Sequence, residues 1–356
     1  MDKEKLLDIS EINSRTVTRR LLIFSILIVF AIILFILDIL IGSVRIPPGE
    51  ILRTVTGTDT SQWSVIVLKF RIPKALTALI AGAALSVGGL QMQTIFRNPM
   101  AGPYVLGVSS GASLGVALVI LGYTYIMPVA GTRIPGDWMV IVSACTGAGL
   151  VMLFVTYLAF RVRDILTVLI LGIMIAGGIS AIVTILQYFT SESLLRAYVI
   201  WTMGSLGNLT GSQLFAMLFT VLAGLTISLF TIKSMNVLLL GENYARSSGV
   251  NVKLVRVSVF VSTSLLAGGV TAFCGPIGFI GIAVPHIARM LFRTSDHNFL
   301  LPASAVAGAA LMLISDIISQ LPGSDKVLPI NAVTSLLGIP VVIWVILRGR
   351  IIKTGV

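Results

Sequence analysis

The sequence predicts an all-α, polytopic membrane protein of about ten transmembrane helices, with an inverted internal repeat and both termini in the cytoplasm. Three observations predict the class: a mean hydropathy of +1.02, a 56% share of hydrophobic residues, and only 11% charged residues over 356 positions. Soluble domains carry roughly 25% charged residues, so this chain lacks the polar surface that a water-soluble fold needs. Apolar runs of about 20 residues, enough to cross the roughly 30 Å hydrocarbon core, recur along the chain.

Ten apolar runs, bounded by charged residues, Gly and Pro, define the predicted spans. The first follows Arg19 and Arg20 and resembles a signal peptide, but it is too long for one and offers no small-residue cleavage site near Asp38. We therefore expect a retained helix there. In chain order the spans are 21–42, 73–93, 104–122, 138–160, 165–188, 213–232, 254–273, 277–293, 300–321 and 329–347.

Lys and Arg residues are divided unevenly between the two predicted sides of the membrane. With both termini in the cytoplasm, the cytoplasmic segments hold 17 of the 25 basic residues and the outer segments hold 8. This bias is what the positive-inside rule predicts, and it also explains the net charge of +11. We therefore expect no nucleic-acid partner. The predicted organisation is a cytoplasmic tail at 1–20, a single transmembrane domain at 21–350 and a short cytoplasmic tail at 351–356.

Two regions of the sequence share an order of apolar, Gly-rich and Pro-interrupted segments. They are LIAGAALSVGGLQMQTIFRNPMAGPYVLGVSSGAS at 79–113 and LLAGGVTAFCGPIGFIGIAVPHIARML at 265–291. The helices that begin these regions cross the membrane in opposite directions in the predicted topology. Corresponding segments of opposite orientation are the mark of an inverted repeat. The repeat halves would be about 73–188 and 254–347.

Pro residues interrupt the helical pattern in both regions. Backbone that is not helical is tolerated at membrane depth only where it is buried in protein or lines a water-filled cavity. Asn98 and Pro99 in the first region, and Gly275, Pro276 and Pro285 in the second, are therefore candidates for a transport pathway. A tight interfacial turn without a transport role explains each segment equally well.

The longest predicted cytoplasmic loop, 233–256, has the composition of a folded segment. Its stretch LLLGENYARSSG can form short helices, with Gly241 and Gly249 as breakers and with Glu242 and Arg246 at i, i+4 spacing. A compact loop on this face suits the docking of a partner, and a simple interfacial helix is the alternative.

These same regions resemble the signatures of the FecCD family, the permease subunits of ABC importers for iron-siderophores, haem and vitamin B12. The resemblance covers residues from about 45 to 350. It is carried by Arg71-Ile-Pro-Lys with AGAALSVGGLQMQTIFRNPMAGPYVLGVSSGAS, by LLLGENYARSSGVNV, and by GPIGFIGIAVPHIAR with LPINAVTSLLGIPVVIWVILR.

The resemblance implies a homodimer in the lipid of the bacterial cytoplasmic (inner) membrane. Two ATP-binding-cassette ATPase subunits would bind beneath it, and a periplasmic or lipoprotein substrate-binding protein would dock on its outer face. No GxxxxGK[ST] phosphate loop occurs in the sequence, so we expect ATP-Mg to bind the partner ATPase. We accordingly expect no cofactor and no enzyme activity in this chain.

The resemblance also implies roles for three sets of residues. The translocation pathway would run along the dimer axis, lined largely by the helix at 165–188, the short external helix near 191–200 and the third and last helices. Its cytoplasmic gate would lie at Asp164, Ile165, Leu166 and Thr167. A hydrophobic constriction there can close by excluding water. The binding protein would dock on Arg71, Lys74 and Lys326. The ATPase would contact the segment 233–256 through Leu240, Gly241, Glu242, Ala245, Arg246 and Gly249.

Two other functional classes are weighed against this one. An ion- or proton-coupled secondary transporter also uses inverted repeats and broken helices. Asp38 and Asp316 are the acids within the predicted spans, and both lie near outer ends, where structural pairing is favoured over proton coupling. An intramembrane hydrolase would need a buried catalytic constellation, and neither GxSxG nor HExxH occurs. The two cysteines and two histidines indicate neither a disulfide framework nor a metal site.

Overall fold

The described part of the chain is helical and contains no β-strand. In the computed structural model it comprises residues 3–42, 44, 46–56, 62–122, 136–162, 164–320 and 327–353. The first half of the chain forms α1 (Lys3–Leu40), α2 (Pro48–Val55), α3 (Gln62–Ile66), α4 (Ile72–Ile95), α5 (Val108–Ile120), α6 (Asp137–Arg161), α7 (Ile165–Tyr188) and α8 (Glu192–Thr202). The second half forms α9 (Gly211–Leu239), α10 (Glu242–Ser247), α11 (Val252–Thr263), α12 (Gly269–Cys274), α13 (Ile280–Phe292), α14 (His297–Ser319) and α15 (Ile330–Lys353).

Two π-helical turns join helices without breaking their course. Val67–Arg71 joins α3 to α4, and Ser264–Gly268 joins α11 to α12. The joined segments Trp63–Ile95 and Val252–Cys274 are each long and apolar enough to cross a membrane. A π-helical turn shifts the helical register locally and often marks a functional region.

The predicted membrane class is confirmed. Within the described residues, 7 helical segments are long and apolar enough to span a bilayer, and Val108–Ile120, Ile280–Phe292 and Ile330–Val345 are shorter apolar helices. Each of the ten predicted spans overlaps one of these segments. The inverted repeat, the side on which the termini lie and the number of membrane crossings stay predictions.

Helix α4 forms the centre of the bundle. In the most apolar 18 residues of the segment Trp63–Ile95, which contains α4, 83% of the residues are buried. The corresponding share for α7 is 22%. It packs between α14 and α13 on one side and α9 and α11 on the other. Close approach to α14 occurs where a Cβ on Gly82 would lie 2.2 Å from the carbonyl oxygen of Gly308. Small residues at such crossings let helices in a membrane pack backbone to backbone.

A buried polar network joins α4 to two neighbouring helices. Gln91 Nε2 donates to Ser228 Oγ on α9 (3.1 Å), and Ser262 Oγ on α11 donates to Gln91 Oε1 (3.0 Å). Polar side chains within hydrocarbon need partners from neighbouring helices, so this network specifies how the three helices meet.

Candidate functional site

The segment at 233–256 folds into a compact turn at one end of the bundle. Helix α9 continues to Leu239, and Gly241 takes φ +124°, a value that favours glycine, before α10 begins. Gly249 takes φ +81°, and Asn251 Oδ1 then caps α11 by accepting from the Leu254 N–H (3.1 Å). The predicted short helix with glycine breakers is therefore confirmed.

Ion pairs hold this segment against α11. The carboxylate of Glu242 accepts from Arg246 Nη2 (2.8 Å) and from Arg256 Nη2 (3.0 and 2.9 Å to its two oxygens). Arg256 is buried and belongs to α11, whereas Arg246 is exposed. The ion pair between Glu242 and Arg246 was predicted from their spacing. The ion pair with Arg256, which reaches both oxygens of Glu242, was not predicted because it joins positions 14 apart in the sequence.

The surface of the segment is partly apolar. Leu240 is 68% exposed and Tyr244 is 53% exposed, whereas Ala245 is fully buried and anchors α10 beneath them. Exposed apolar side chains beside exposed charges are the composition of a protein-docking surface. The contact with an ATPase stays a prediction.

The predicted gate lies at the start of α7. Asp164 caps this helix: its oxygens accept from the Thr167 hydroxyl (3.0 Å) and from the backbone N–H groups of Leu166 (3.3 Å) and Thr167 (3.0 Å). These hydrogen bonds, the Thr167 hydroxyl first, hold the pKa of Asp164 below its ordinary value. Ile165 follows the cap half-buried, and Leu166 is exposed.

The gate region and the ion-paired segment share one cavity. Its volume is about 330 Å³, and α7 contributes Asp164, Ile165 and Leu166 to its lining, with Glu242 and Arg256 opposite. Arg256 also lies close enough to lower the pKa of Asp164 by its charge.

The two Pro-interrupted segments meet each other. Asn98 Oδ1 accepts from the Met100 N–H (2.9 Å) and closes the turn that contains Pro99. The carbonyl of Pro99 lies 2.8 Å from His286 Nε2 on α13. His286 therefore orients α13 by a backbone contact, as expected for a structural histidine.

The second interruption is shorter than predicted. Gly275 takes φ +75°, and a Cβ there would lie 2.5 Å from the carbonyl of Trp201. The helix resumes at Ile280, so Pro285 lies inside α13 and is not part of the irregular segment. The expectation that non-helical backbone reaches Pro285 is wrong, because a Pro in the first turns of a helix removes only one i→i−4 hydrogen bond.

A hydroxyl-lined groove lies between α5, α7 and α8, three of the helices that the resemblance implies along the pathway; the sequence reasoning did not name its hydroxyl residues. Its volume is about 290 Å³, and Ser113 Oγ in it shares a hydrogen bond with the Tyr198 hydroxyl. The run VSSGAS at the start of α5 is the signal that could have indicated it. None of the lining side chains is charged; they are Ser109, Ser110, Ser113, Ile179, Ser180, Val183, Thr184, Gln187, Tyr198, Thr202 and Pro276.

At the opposite end of the bundle, the expected exposed basic pair is not exposed. Arg71 is 8% exposed. Its Nη1 donates to the carbonyls of Ile39 (2.7 Å) and Leu40 (3.0 Å), and its Nη2 donates to that of Val44. The carbonyls of Ile39 and Leu40 belong to the last turn of α1, and that of Val44 lies beyond it. The carbonyls of a last helical turn have no donors within their own helix. The exposed charge expected at Arg71 is therefore not found, and docking of a binding protein on it stays a prediction.

Lys74 belongs to a buried ionic network. Its Nζ lies 3.0 Å from Asp316 Oδ1, and Gln320 Nε2 donates both to Asp316 Oδ2 (3.2 Å) and to Asp38 Oδ1 (3.0 Å). The expectation of structural pairing for the two acids agrees with these contacts, and Lys74 is not a free surface charge. Lys326, the third predicted docking residue, lies outside the described residues.

Among the residues that the structure describes, no three His, Cys, Asp or Glu side chains come together as a metal site. Asp38, Asp316 and the cysteines are accordingly not proposed as ligands.

Comparison with known proteins decides the family. A family model described as the FecCD transport family matches residues 28–348. The chain belongs to the FecCD transport family. It is 35% identical over 305 residues to the hemin transport system permease protein HmuU of Yersinia pestis, which covers 84% of this chain and 88% of that protein. It is also 35% identical over 348 residues to the vitamin B12 import system permease protein BtuC of Klebsiella pneumoniae, which covers 98% of this chain and 99% of that protein.

The fold agrees with this assignment. A solved structure described as an inward-facing ABC transporter, assigned to the metal-chelate type, matches with a TM-score of 0.79 and 28% identity. The match covers 92% of this chain and 99% of that one. This FecCD chain is therefore the membrane-spanning permease of an ABC importer, and it resides in the bacterial cytoplasmic membrane.

Proposed function

We propose that this permease works as a homodimer driven by two ATP-binding-cassette ATPase subunits, and that a substrate-binding protein delivers its cargo. The compact segment at 233–256 is the observation that carries the proposal. It presents Leu240, Tyr244 and Arg246 outward while Glu242 and Arg256 tie it to the bundle. ATP-Mg would bind the partner ATPase, and this chain would bind no cofactor of its own.

We propose an iron chelate, haem or a corrinoid such as vitamin B12 as the cargo, moved by alternating access. The names of the relatives support the class, since one is named a hemin permease and six others are named vitamin B12 import permeases. The uncharged groove between α5, α7 and α8 also supports it: hydroxyl side chains offer weak, numerous hydrogen bonds, which let a large polar cargo enter and leave.

The ATPase contact is tested by replacing 241–247 with a Gly/Ser segment of equal length. We expect the ATPase to be lost from the permease in detergent pull-downs. A matched control alters the other end of the bundle, at Lys69→Gln. An intact complex in the first variant would refute the assignment of this segment.

The cargo is tested by measuring ATPase stimulation in the reconstituted complex of permease, ATPase and binding protein. Haem, vitamin B12 and a ferric siderophore are compared at equal concentration. We expect one of them to stimulate ATP hydrolysis and to accumulate in the vesicle lumen. Accumulation that depends on a proton gradient and not on ATP would instead favour a secondary transporter. Asp38 and Asp316 would be its candidate proton-binding carboxylates, and they are already paired with Gln320 and Lys74.

A further inference from the structure

A second cleft lies between α6 and α11, and Glu242 and Arg246 of the segment at 233–256 form part of its lining. Its volume is about 380 Å³. Four basic side chains line it, Arg161, Arg246, Lys253 and Arg256, together with one acid, Glu242. The formal charge of this lining is strongly positive, and like charges gathered in a small space favour the binding of an anion.

Two of the four charges have no acidic partner among the described residues. Glu242 is occupied by Arg246 and Arg256. Arg161 instead donates to the hydroxyl of Tyr157 (3.2 Å) and stacks over its ring (5.5 Å to the centroid). Lys253 is exposed at the start of α11. The mouth of the cleft therefore offers two cations whose charges are not balanced by the protein.

Part of the lining of the cleft is apolar. Phe160 on α6 and Val257 and Phe260 on α11 contribute to it, and Phe160 and Val257 are adjacent in sequence to Arg161 and Arg256. Phe160 is half-exposed, and α6 continues beyond it with the exposed apolar side chains Leu153 and Phe154. A helix face of this kind meets lipid, so the cleft opens toward the bilayer at the level where charged side chains and Tyr reach the membrane surface.

We propose that this cleft binds an anionic phospholipid of the cytoplasmic leaflet. Its phosphate would lie between Arg161 and Lys253, and an acyl chain would follow Phe160 and Val257 along α6 and α11. A small soluble anion could use the charges but not the apolar wall, and a neutral lipid could use the wall but not the charges. Basic pockets between transmembrane helices on the cytoplasmic side suit such headgroups. The proposal rests on the proposed orientation of the bundle and is independent of the cargo. The cleft shares Glu242 and Arg246 with the segment proposed to contact the ATPase, and the test with added ATPase subunit separates the two roles.

The test measures anionic lipid retained by the intact permease. The protein is purified in mild detergent, returned to nanodiscs of phosphatidylcholine with a minor share of phosphatidylglycerol, and re-extracted, and bound lipids are counted by native mass spectrometry. The variant Arg161→Gln with Lys253→Gln removes the two unbalanced charges. The control Lys69→Gln with Arg196→Gln removes two exposed charges elsewhere. Both double variants must keep the melting temperature of the unaltered protein. If either of them does not, the single variant Lys253→Gln is compared with the single variant Lys69→Gln.

We expect retained phosphatidylglycerol to fall at least about fivefold in the cleft variant and to be unchanged in the control, as the loss of two basic residues near a charged membrane surface predicts. Equal retention in both variants would overturn the proposal. So would equal retention of phosphatidylcholine, or full displacement by glycerol phosphate, which would show a site for a small anion. Displacement of the lipid by added ATPase subunit would assign the cleft to a protein interface instead.

Discussion

At the scale of single residues, Arg71 is a charged side chain that stabilises the fold. Its guanidinium bonds three carbonyls at and beyond the end of α1, and it is almost wholly buried. We expect Arg71→Gln to lower the free energy of unfolding by about 2 kcal/mol or more, because buried carbonyls lose charged donors. Thermal unfolding in detergent measures this, with the exposed Lys69→Gln as the control. An unchanged melting temperature, together with weaker and salt-dependent docking of the binding protein, would support the docking role.

Asp164 is the residue whose charge controls the first turn of α7. Its pKa is lowered by hydrogen bonds from the Thr167 hydroxyl and from the N–H groups of Leu166 and Thr167, so its cap is fully formed at pH 7. The contribution of a carboxylate with a lowered pKa is present above its ordinary pKa and is lost as the pH falls through the lowered value.

We therefore expect the amides of Leu166 and Thr167 to stay protected from hydrogen exchange across neutral pH and to lose protection only in strong acid. Asp164→Asn should keep the cap without the acid response, since Asn is also a good N-cap residue, whereas Asp164→Ala should lose it at every pH. Hydrogen exchange with mass spectrometry measures the protection of these two amides in both variants. Equal protection in the unaltered protein and in the alanine variant would show that the cap does not order the gate.

The sequence predicts contacts between charged residues close in the chain better than contacts between residues far apart in it. Glu242 and Arg246 are four apart on one helix, so their ion pair follows from local geometry. Arg71 and Lys74 were expected to be exposed because charged residues mostly are. Their partners, the carbonyls after α1 and Asp316 on α14, lie far away in sequence and are brought near only by packing.

At the scale of helices, the contact between α4 and α13 depends on a glycine that faces a carbonyl without a helical donor. Pro285 has no N–H, so the carbonyl of Gly281 lacks its i→i+4 donor. That carbonyl faces Gly89 of α4, where a Cβ would lie 1.7 Å from its oxygen. The two helices can approach this closely only because Gly89 has no side chain.

We expect Gly89→Ala to push α4 away from α13 and to cost about 1–3 kcal/mol of stability or more, as overpacking does. Gly149→Ala on α6 is the matched control, because nothing lies within 4 Å of its added Cβ. It should be neutral or gain about 0.4–1 kcal/mol, since alanine restricts the unfolded chain. Thermal unfolding of both variants in the same detergent decides between these outcomes, and equal melting temperatures would contradict the close contact.

Helix existence was predicted more reliably than helix ends. The ten apolar runs each overlap a helix because hydropathy over about 20 residues is a strong signal. The short helices α5 and α13 begin later than predicted, since Gly107 and Phe279 take positive φ values just before them. Such backbone conformations depend on tertiary contacts and are not visible in hydropathy.

At the scale of the whole molecule, α7 exposes both small residues and bulky apolar ones. Gly177, Gly178, Ser180 and Thr184 are exposed on it, and an added Cβ at either glycine would meet nothing within 4 Å. Ile170, Ile173 and Met174 are exposed on the same helix, and α6 exposes Leu153 and Phe154. Composition alone predicts that both helices span the membrane, but it does not tell which one faces lipid.

In the proposed homodimer, we expect the small-residue face of α7 and the adjoining hydroxyl-lined groove to line the water-filled pathway. Ser180→Cys should therefore react with a membrane-impermeant maleimide, and bound cargo should slow the reaction. Leu153→Cys, 69% exposed on α6, should not react because lipid covers it. Both are made in a Cys145→Ser background, since Cys145 is exposed and Cys274 is buried. Labelling of Leu153→Cys without labelling of Ser180→Cys would place α7 against lipid and would move the pathway to another face of the bundle.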